Sequence, residues 1–151
     1  MFQNLLVPID GSPTSQLAVE KAIGLAKAFN GTVNVLYVID PYLFTGVGEG
    51  FAYGQTQYLS AARAEADAAL AAARQALQAA GIKASSSLME SHVVWRGILD
   101  AAAQGQNDLI VMGSHGRSGF EKLLLGSVAQ RVVSHATMPV LVVRGQSDAG
   151  V

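Results

Sequence analysis

The sequence predicts an α/β protein: a single domain built on an open, mostly parallel five-stranded sheet with helices on both faces. Two observations carry this reading. Five short runs (Leu5–Ile9, Val33–Ile39, Lys83–Glu90, Leu109–Met112 and Val140–Val143) alternate with segments of helical period or high helix propensity, the pattern of strands joined by crossover helices. The chain has 151 residues, half of them hydrophobic, which suffices for one buried core and is too short for two ordinary domains.

The first run, Leu5–Ile9, is continuously apolar and stops at Asp10-Gly11-Ser12-Pro13, as a buried parallel strand does. Ser12 and Pro13 then start a helix, with a hydroxyl to accept an orphan N–H and a ring whose φ suits the first turn. Its apolar stripe runs through Ala18, Ala22, Leu25, Ala26 and Phe29 to a stop at Asn30-Gly31. Asn30-Gly31-Thr32 also fits a glycosylation sequon, but a helix stop before a strand is the reading preferred. Val33–Ile39 is the second strand, joined to the first by a right-handed crossover. Pro41–Gly54, rich in Gly, Tyr and Phe, has no clean period and reads as a loop at a strand's carboxyl end. Gln57–Ala80 is alanine-rich and strongly helical. Lys83–Glu90, interrupted by three serines, fits an edge strand. Ile98–Gln104 is a short helix, Leu109–Met112 the fourth strand, Val128–His135 the last helix, and Val140–Val143 a fifth strand after Pro139. Residues 1–145 are expected to form the domain and 146–151 a flexible tail.

Composition narrows the function. Ten Lys and Arg against eleven Asp and Glu give a net charge of −1, so no basic field is available to draw in nucleic acid, and no nucleic acid partner is expected. The absence of cysteine removes disulfides and thiol chemistry, and the three histidines have no metal-ligand spacing. The N-terminal run stops at Pro8 and Asp10 without the features of a signal peptide, and no stretch reaches the ~20 apolar residues of a membrane span. The expected location is the cytoplasm, without membrane insertion.

In such folds ligands collect at the carboxyl ends of the strands where the winding reverses. Asp10-Gly11-Ser12, Ile39-Asp40 and the segment from Gly113 occupy such ends. Gly113-Ser114-His115-Gly116-Arg117-Ser118-Gly119 leads through Phe120–Leu125 to Gly126-Ser127 at a helix start. N–H groups of a glycine-rich turn and a helix N-terminus suit phosphate oxygens, and Ser127 is placed to cap the helix and to donate to an anion. On spacing alone, Gly113 and Gly116 either bind phosphate or merely turn the chain. The pattern is neither the phosphate loop ending in Gly-Lys-Ser/Thr nor the G-x-G-x-x-G fingerprint.

Gly113-x-x-Gly116, nine residues, then Gly126-Ser127, resembles the ATP-binding signature of the universal stress protein family. The resemblance extends over nearly the whole chain, through Leu6–Ser12, Leu36–Ile39, Asp108–Gly119, Leu124–Ala129 and Pro139–Val143. It implies a Rossmann-like sheet of strand order 3-2-1-4-5, usually a dimer, and an ATP site, with AMP or ADP as alternatives and Mg²⁺ held through the phosphates. Carried over, the implied site comprises Pro8, Asp10 and the main chain at Val38, the latter two near the adenosine. Met112 and Gly113 would flank the ribose and phosphates, and Gly116, Gly126, Ser127 and Val128 would line the phosphate chain. Where the family has a Gly-Asp-Pro turn after its third strand, this chain has His92-Val93-Val94 before Trp95, which puts that turn in doubt.

Alternatives stay open at several positions. Asp10 contacts the nucleotide or caps the first helix. His115 donates to a phosphate or faces solvent, and Arg117 offsets phosphate charge or is solvated. Glu121 and Lys122 read as surface residues and Trp95 as a packing anchor. An apolar edge strand at Val140, Leu141, Val142 and Val143 invites pairing with a second copy, in agreement with the dimers the resemblance implies. The leading expectation is an ATP-dependent sensor or partner-binding module with an unknown protein partner and no assigned catalytic residue. A slow ATPase, for which Asp10 and Glu121 are the nearby carboxylates, and an ATP-independent dimer are the alternatives. A flavin or dinucleotide domain is compatible on fold grounds only.

Overall fold

The computed structural model describes residues 1–41, 51–116 and 125–145. Arg117, Glu121, Lys122, the expected tail at 146–151 and most of the aromatic-rich loop lie outside the described residues. Nine elements follow in the expected alternation: β1 (Asn4–Ile9), α1 (Pro13–Phe29), β2 (Thr32–Ile39), α2 (Phe51–Ala79), β3 (Ala84–Glu90), α3 (Val94–Gln104), β4 (Leu109–Gly113), α4 (Ser127–His135) and β5 (Val140–Val143). The strands form one sheet in the order β3-β2-β1-β4-β5, and every neighbouring pair is parallel. Both serine-rich β3 and apolar β5 stand at edges, as their sequences suggest.

The period-2 alternation of a strand divides the core into two layers. Leu5, Val7 and Ile9 of β1, Val33, Val35, Tyr37 and Ile39 of β2, and Leu109 and Val111 of β4 pack with α1 and α2 on one face. Leu6, Leu36, Ile110 and Met112 point the other way and pack with Ile98 and Ala102 of α3 and Ala129 and Val132 of α4. β1, β2 and β4 are apolar on both faces because each face is covered by helices.

Local chemistry sets the boundaries. Ser12 is the N-cap of α1, its side chain accepting from the Ser15 N–H, and Asn30 closes the helix in the left-handed region at φ 56°. Asn30-Gly31 is therefore a helix stop, as expected. At the amino edge of the sheet, Asp108 accepts the N–H groups of Gln3 and Asn4 through its two carboxylate oxygens. The side chain of Asn4 donates to the carbonyls of Gly105 and Gln106. These bonds tie β1 to the turn before β4 across more than a hundred residues of sequence.

Two helices begin earlier than expected. α2 starts at Phe51, not Gln57. The Gln55 side chain donates to the Pro41 carbonyl and the Tyr58 hydroxyl to the Asp40 carbonyl, so tertiary bonds extend the helix through Gly54, a residue of poor helix propensity. α3 starts at Val94, not Ile98. Trp95 sits in its first turn and stacks on His135 of α4, ring centroids 4.5 Å apart, a packing role like the one its position suggested. In the divergent turn before α3, His92 Nδ1 lies 3.3 Å from Asp40 Oδ1. Val93 is an N-cap without a side-chain hydrogen bond.

Candidate functional site

The chain leaves β1 through α1 toward β2 on one side, and arrives at β4 on the other, so the winding reverses between β1 and β4. A cavity of about 520 Å³ opens at their carboxyl ends, within the ~300–1,000 Å³ typical of small-molecule sites. It lies on the α3 and α4 side, with Val38, Met112, Val94 and Ile98 supplying apolar wall.

The β1–α1 turn is held by its own polar groups. Asp10 Oδ1 accepts the Ser12 N–H at 2.9 Å, and the Ser15 hydroxyl donates to the Ser12 carbonyl at 2.9 Å. The cap of α1 is thus Ser12, with Asp10 bracing the turn before it. Asp10 also lines the cavity, and its Oδ2 faces Gly116 so closely that a Cβ there would meet it at 2.6 Å. Of the two roles open to Asp10 in the sequence, the cap of α1 thus falls to Ser12, and Asp10 braces the turn while lining the cavity.

Across the cavity, the chain flanking the glycine segment is fastened at both ends. The Ser114 N–H donates to the Val143 carbonyl at 2.8 Å, and the Gly126 N–H donates to the Ser114 carbonyl at 2.7 Å. A Cβ on Gly126 would lie 3.0 Å from that same carbonyl oxygen, which explains why glycine stands there. Gly126 is also the N-cap of α4 and gives it no side-chain cap. This corrects the expectation that Ser127 caps the helix: Ser127 is its first residue, because the Gly126 carbonyl accepts the first intrahelical bond, from Gln130. The N–H groups of Ser127, Val128 and Ala129 have no intrahelical acceptor, as at any helix start, and all three residues line the cavity. They present the positive end of the helix dipole to whatever binds there.

Sheet geometry adds an acceptor. Residues of a parallel strand alternate the side to which their N–H and C=O point. The Thr32 N–H donates to Gln3 on the β1 side, the Val33 N–H donates to Lys83 on the β3 side, and the Ile39 carbonyl accepts from Ser91. Val38 therefore directs its carbonyl toward β1, beyond the last register pair, Ile9 with Tyr37. At the glycine end, His115 Nδ1 lies 3.2 Å from the Ser114 hydroxyl. Its Nε2 is buried without a partner among the described residues, which costs about 1–3 kcal/mol for a polar group.

The structure brings Pro8, Asp10, Val38, Met112, Gly113, His115, Gly116, Gly126, Ser127 and Val128 into the wall of this one cavity. Ile9, Ser15, Val94, Ile98, Ser114, Leu125 and Ala129 also line it and were not singled out in the sequence. The helical spacing of Val94 and Ile98 carried a signal, obscured because α3 was taken to begin four residues late. Among the described lining residues Asp10 is the one carboxylate, with no Lys or Arg. Among the described residues the donors available to an anion are therefore uncharged N–H and O–H groups, and no group of three His, Asp or Glu among them is placed to hold a metal.

A doubly wound parallel sheet with a ligand-sized cavity at its switch point, lined by a helix start that has no side-chain cap, is the architecture of a class of small-molecule-binding α/β domains. The model of the universal stress protein family matches residues 1–144, and the chain belongs to that family. It is 36% identical to the universal stress protein MJ0531 of Methanocaldococcus jannaschii over 145 residues, 95% of this chain and 83% of that one. Its fold is similar to that of the universal stress protein UspA from Lactobacillus plantarum, with 27% identity, TM-score 0.84, and 95% and 98% of the two chains covered. It is also similar to a universal stress protein crystallised in complex with cAMP, at 25% identity and TM-score 0.71, covering 96% and 98%.

Proposed function

We propose that this protein binds ATP in the cavity at the β1–β4 switch point and serves as a nucleotide-dependent sensor in a stress response. ATP occupancy would change its contact with a protein partner. The observation that carries the reading is the start of α4: three N–H groups without intrahelical acceptors behind a glycine N-cap, inside a cavity whose other wall is apolar. Phosphates suit the N–H groups, and an aromatic base suits the wall of Val38, Met112, Val94 and Ile98. The Val38 carbonyl, aimed past the end of β1, is an acceptor for an exocyclic amine such as adenine carries. The relative that holds cAMP, an adenine nucleotide, supports the same choice of base.

The carboxylate of Asp10, whose Oδ2 faces Gly116, opposes a polyanion in the same cavity, so Mg²⁺ carried on the phosphates is part of the reading. A dimer formed by β5 pairing with a second copy, and a cytoplasmic setting, complete it. No described helix is long and apolar enough to cross a membrane.

Calorimetric titration of nucleotide-stripped protein with ATP and Mg²⁺, repeated with ADP and AMP, tests the reading against Gly116→Val. A branched side chain at Gly116 starts 2.6 Å from Asp10 Oδ2 and obstructs the cavity without entering either core layer. The expected result is wild-type binding that is lost in a mutant of unchanged secondary structure. Absence of binding to the stripped wild type would sink the nucleotide reading and leave a dimer that acts through its surfaces.

A further inference from the structure

Within that reading, we infer that His92 and His135 are positioning residues of the cavity: they hold the first turn of α3 from two sides and so fix the wall against which the base lies.

α3 begins without the usual local signals. Its N-cap, Val93, makes no side-chain hydrogen bond, and its first turn has no proline. A start without a polar cap is held less firmly by its own sequence, so its place depends on contacts with other elements. Toward β3 the contact is close packing. A Cβ on Gly97 would stand 3.0 Å from Met89 Sδ and from Ser91 Cβ, which keeps the turn tight on the end of that strand. Ser91 donates its N–H to the Ile39 carbonyl and its hydroxyl to the Val93 carbonyl.

The other contacts come from two of the chain's three histidines. His92 Nδ1 lies 3.3 Å from Asp40 Oδ1, and a carboxylate accepts, so Nδ1 donates. This bond ties the turn before α3 to the chain leaving β2, two residues beyond Val38. From α4, the ring of His135 stacks on Trp95 with centroids 4.5 Å apart. His135 Nδ1 lies 2.9 Å from the Arg131 carbonyl, which can only accept, so the ring is also held by its own helix. The Arg96 guanidinium, 5.2 Å from the Trp95 centroid, adds a cation to the same indole.

Val94 stands in sequence between these two contacts. It lines the cavity, as does Ile98 one turn on, and Val38 and Met112 belong to the same lining. Release of either contact lets the turn shift, and Val94 and Ile98 shift with it relative to Val38 and Met112. The start of α4, where the phosphates are placed, keeps its own fastening through Gly126 and Ser114.

His92→Ala combined with His135→Ala removes both contacts. It should weaken Mg²⁺-ATP binding by about three- to tenfold in calorimetric titration, as for two exposed polar contacts together. ADP should weaken by the same factor, because the wall meets the base and not the terminal phosphate. His92→Asn combined with His135→Phe returns an amide nitrogen to the place of Nδ1 and an aromatic ring to the face of Trp95, and should recover most of the loss. Thermal melts establish that the variants are folded. Each single alanine replacement, expected to weaken binding by about two- to threefold, carries the same test should the pair be unstable. Alanine variants that bind as tightly as wild type, a loss confined to ATP, or a loss in folded protein that His92→Asn with His135→Phe does not recover would overturn the positioning role and leave the nucleotide site standing. A wild type that binds no ATP would remove the nucleotide reading itself, and this inference with it.

Discussion

Single residues fasten this fold at points where the backbone would otherwise be left unpaired. Asp108 is the clearest case, since its two carboxylate oxygens take the N–H groups of Gln3 and Asn4 at 2.9 and 3.0 Å. Asp108→Ala removes both acceptors and should lower the unfolding free energy by about 1–3 kcal/mol, read from the midpoint of a urea titration at constant slope. Asp108→Asn keeps one oxygen and should lose less. Equal midpoints for the alanine variant and wild type would refute the anchoring role. At this scale the sequence was informative wherever a residue type has few uses. Ser12 before Pro13, Asn30 before Gly31, and Gly113, Gly116 and Gly126 could each be read for backbone reasons. Ser127 was misread by one position, because whether a serine or the glycine before it caps a helix depends on where the previous strand hands over the chain.

Among the elements, α2 departs furthest from its sequence. Its 29 residues span about 43 Å at 1.5 Å each, longer than any strand of the sheet. Among its described side chains the buried ones, Ala66, Leu70, Ala73 and Leu77, all lie in its second half. In the first half Leu59 and Ala62 pack only partly buried against the core, and polar bonds add to them, with the Tyr58 hydroxyl donating to the Asp40 carbonyl. Burial of the phenol, and then the negative charge of Asp40, raise the Tyr58 pKa above its usual value of 10.0. The unfolded chain therefore ionises this tyrosine first, so its contribution is complete below pH ~10 and is lost as pH rises toward the folded-state value. Tyr58→Phe should cost about 1 kcal/mol at pH 8, and the gap to wild type should close above pH ~10 in parallel melts. A gap that stays constant would show that the hydroxyl bond does not govern it. Periodicity alone could not place this half of the helix, because Tyr53 and Gly54 read as loop and the acceptors that hold it, the Asp40 and Pro41 carbonyls, lie just past the end of β2. α3 was cut short for a similar reason: Val93, Val94 and Trp95 favour extended chain until Trp95 finds His135 to stack on.

For the molecule as a whole, alternation and length were enough to give the sheet, and the strand order came from the family resemblance. What remained hidden was how the two core layers divide, since that depends on which face each crossover helix covers. The edge strand β5 bears on assembly. Leu141 is 40% exposed on a strand with an unpaired outer edge, and the proposed dimer covers it. Leu141→Glu should convert a dimer to a folded monomer, seen as a halved mass in light scattering with unchanged circular dichroism. A wild type that is itself monomeric at tens of micromolar would dispose of the β5 interface.

The central position of β1 also matters to the nascent chain. This strand is the first made, and β2 can cover one of its edges early. Its other edge is reserved for β4, whose anchor Asp108 lies 105 residues after Gln3. At about 5–20 residues per second, ribosomes leave that edge open for roughly 5–20 s. During that interval an apolar strand with unpaired amides is available to any neighbouring chain, including the β1 of a second nascent copy. Dense polysomes should therefore lose more of this protein to aggregation than sparse ones, however stable the finished domain is.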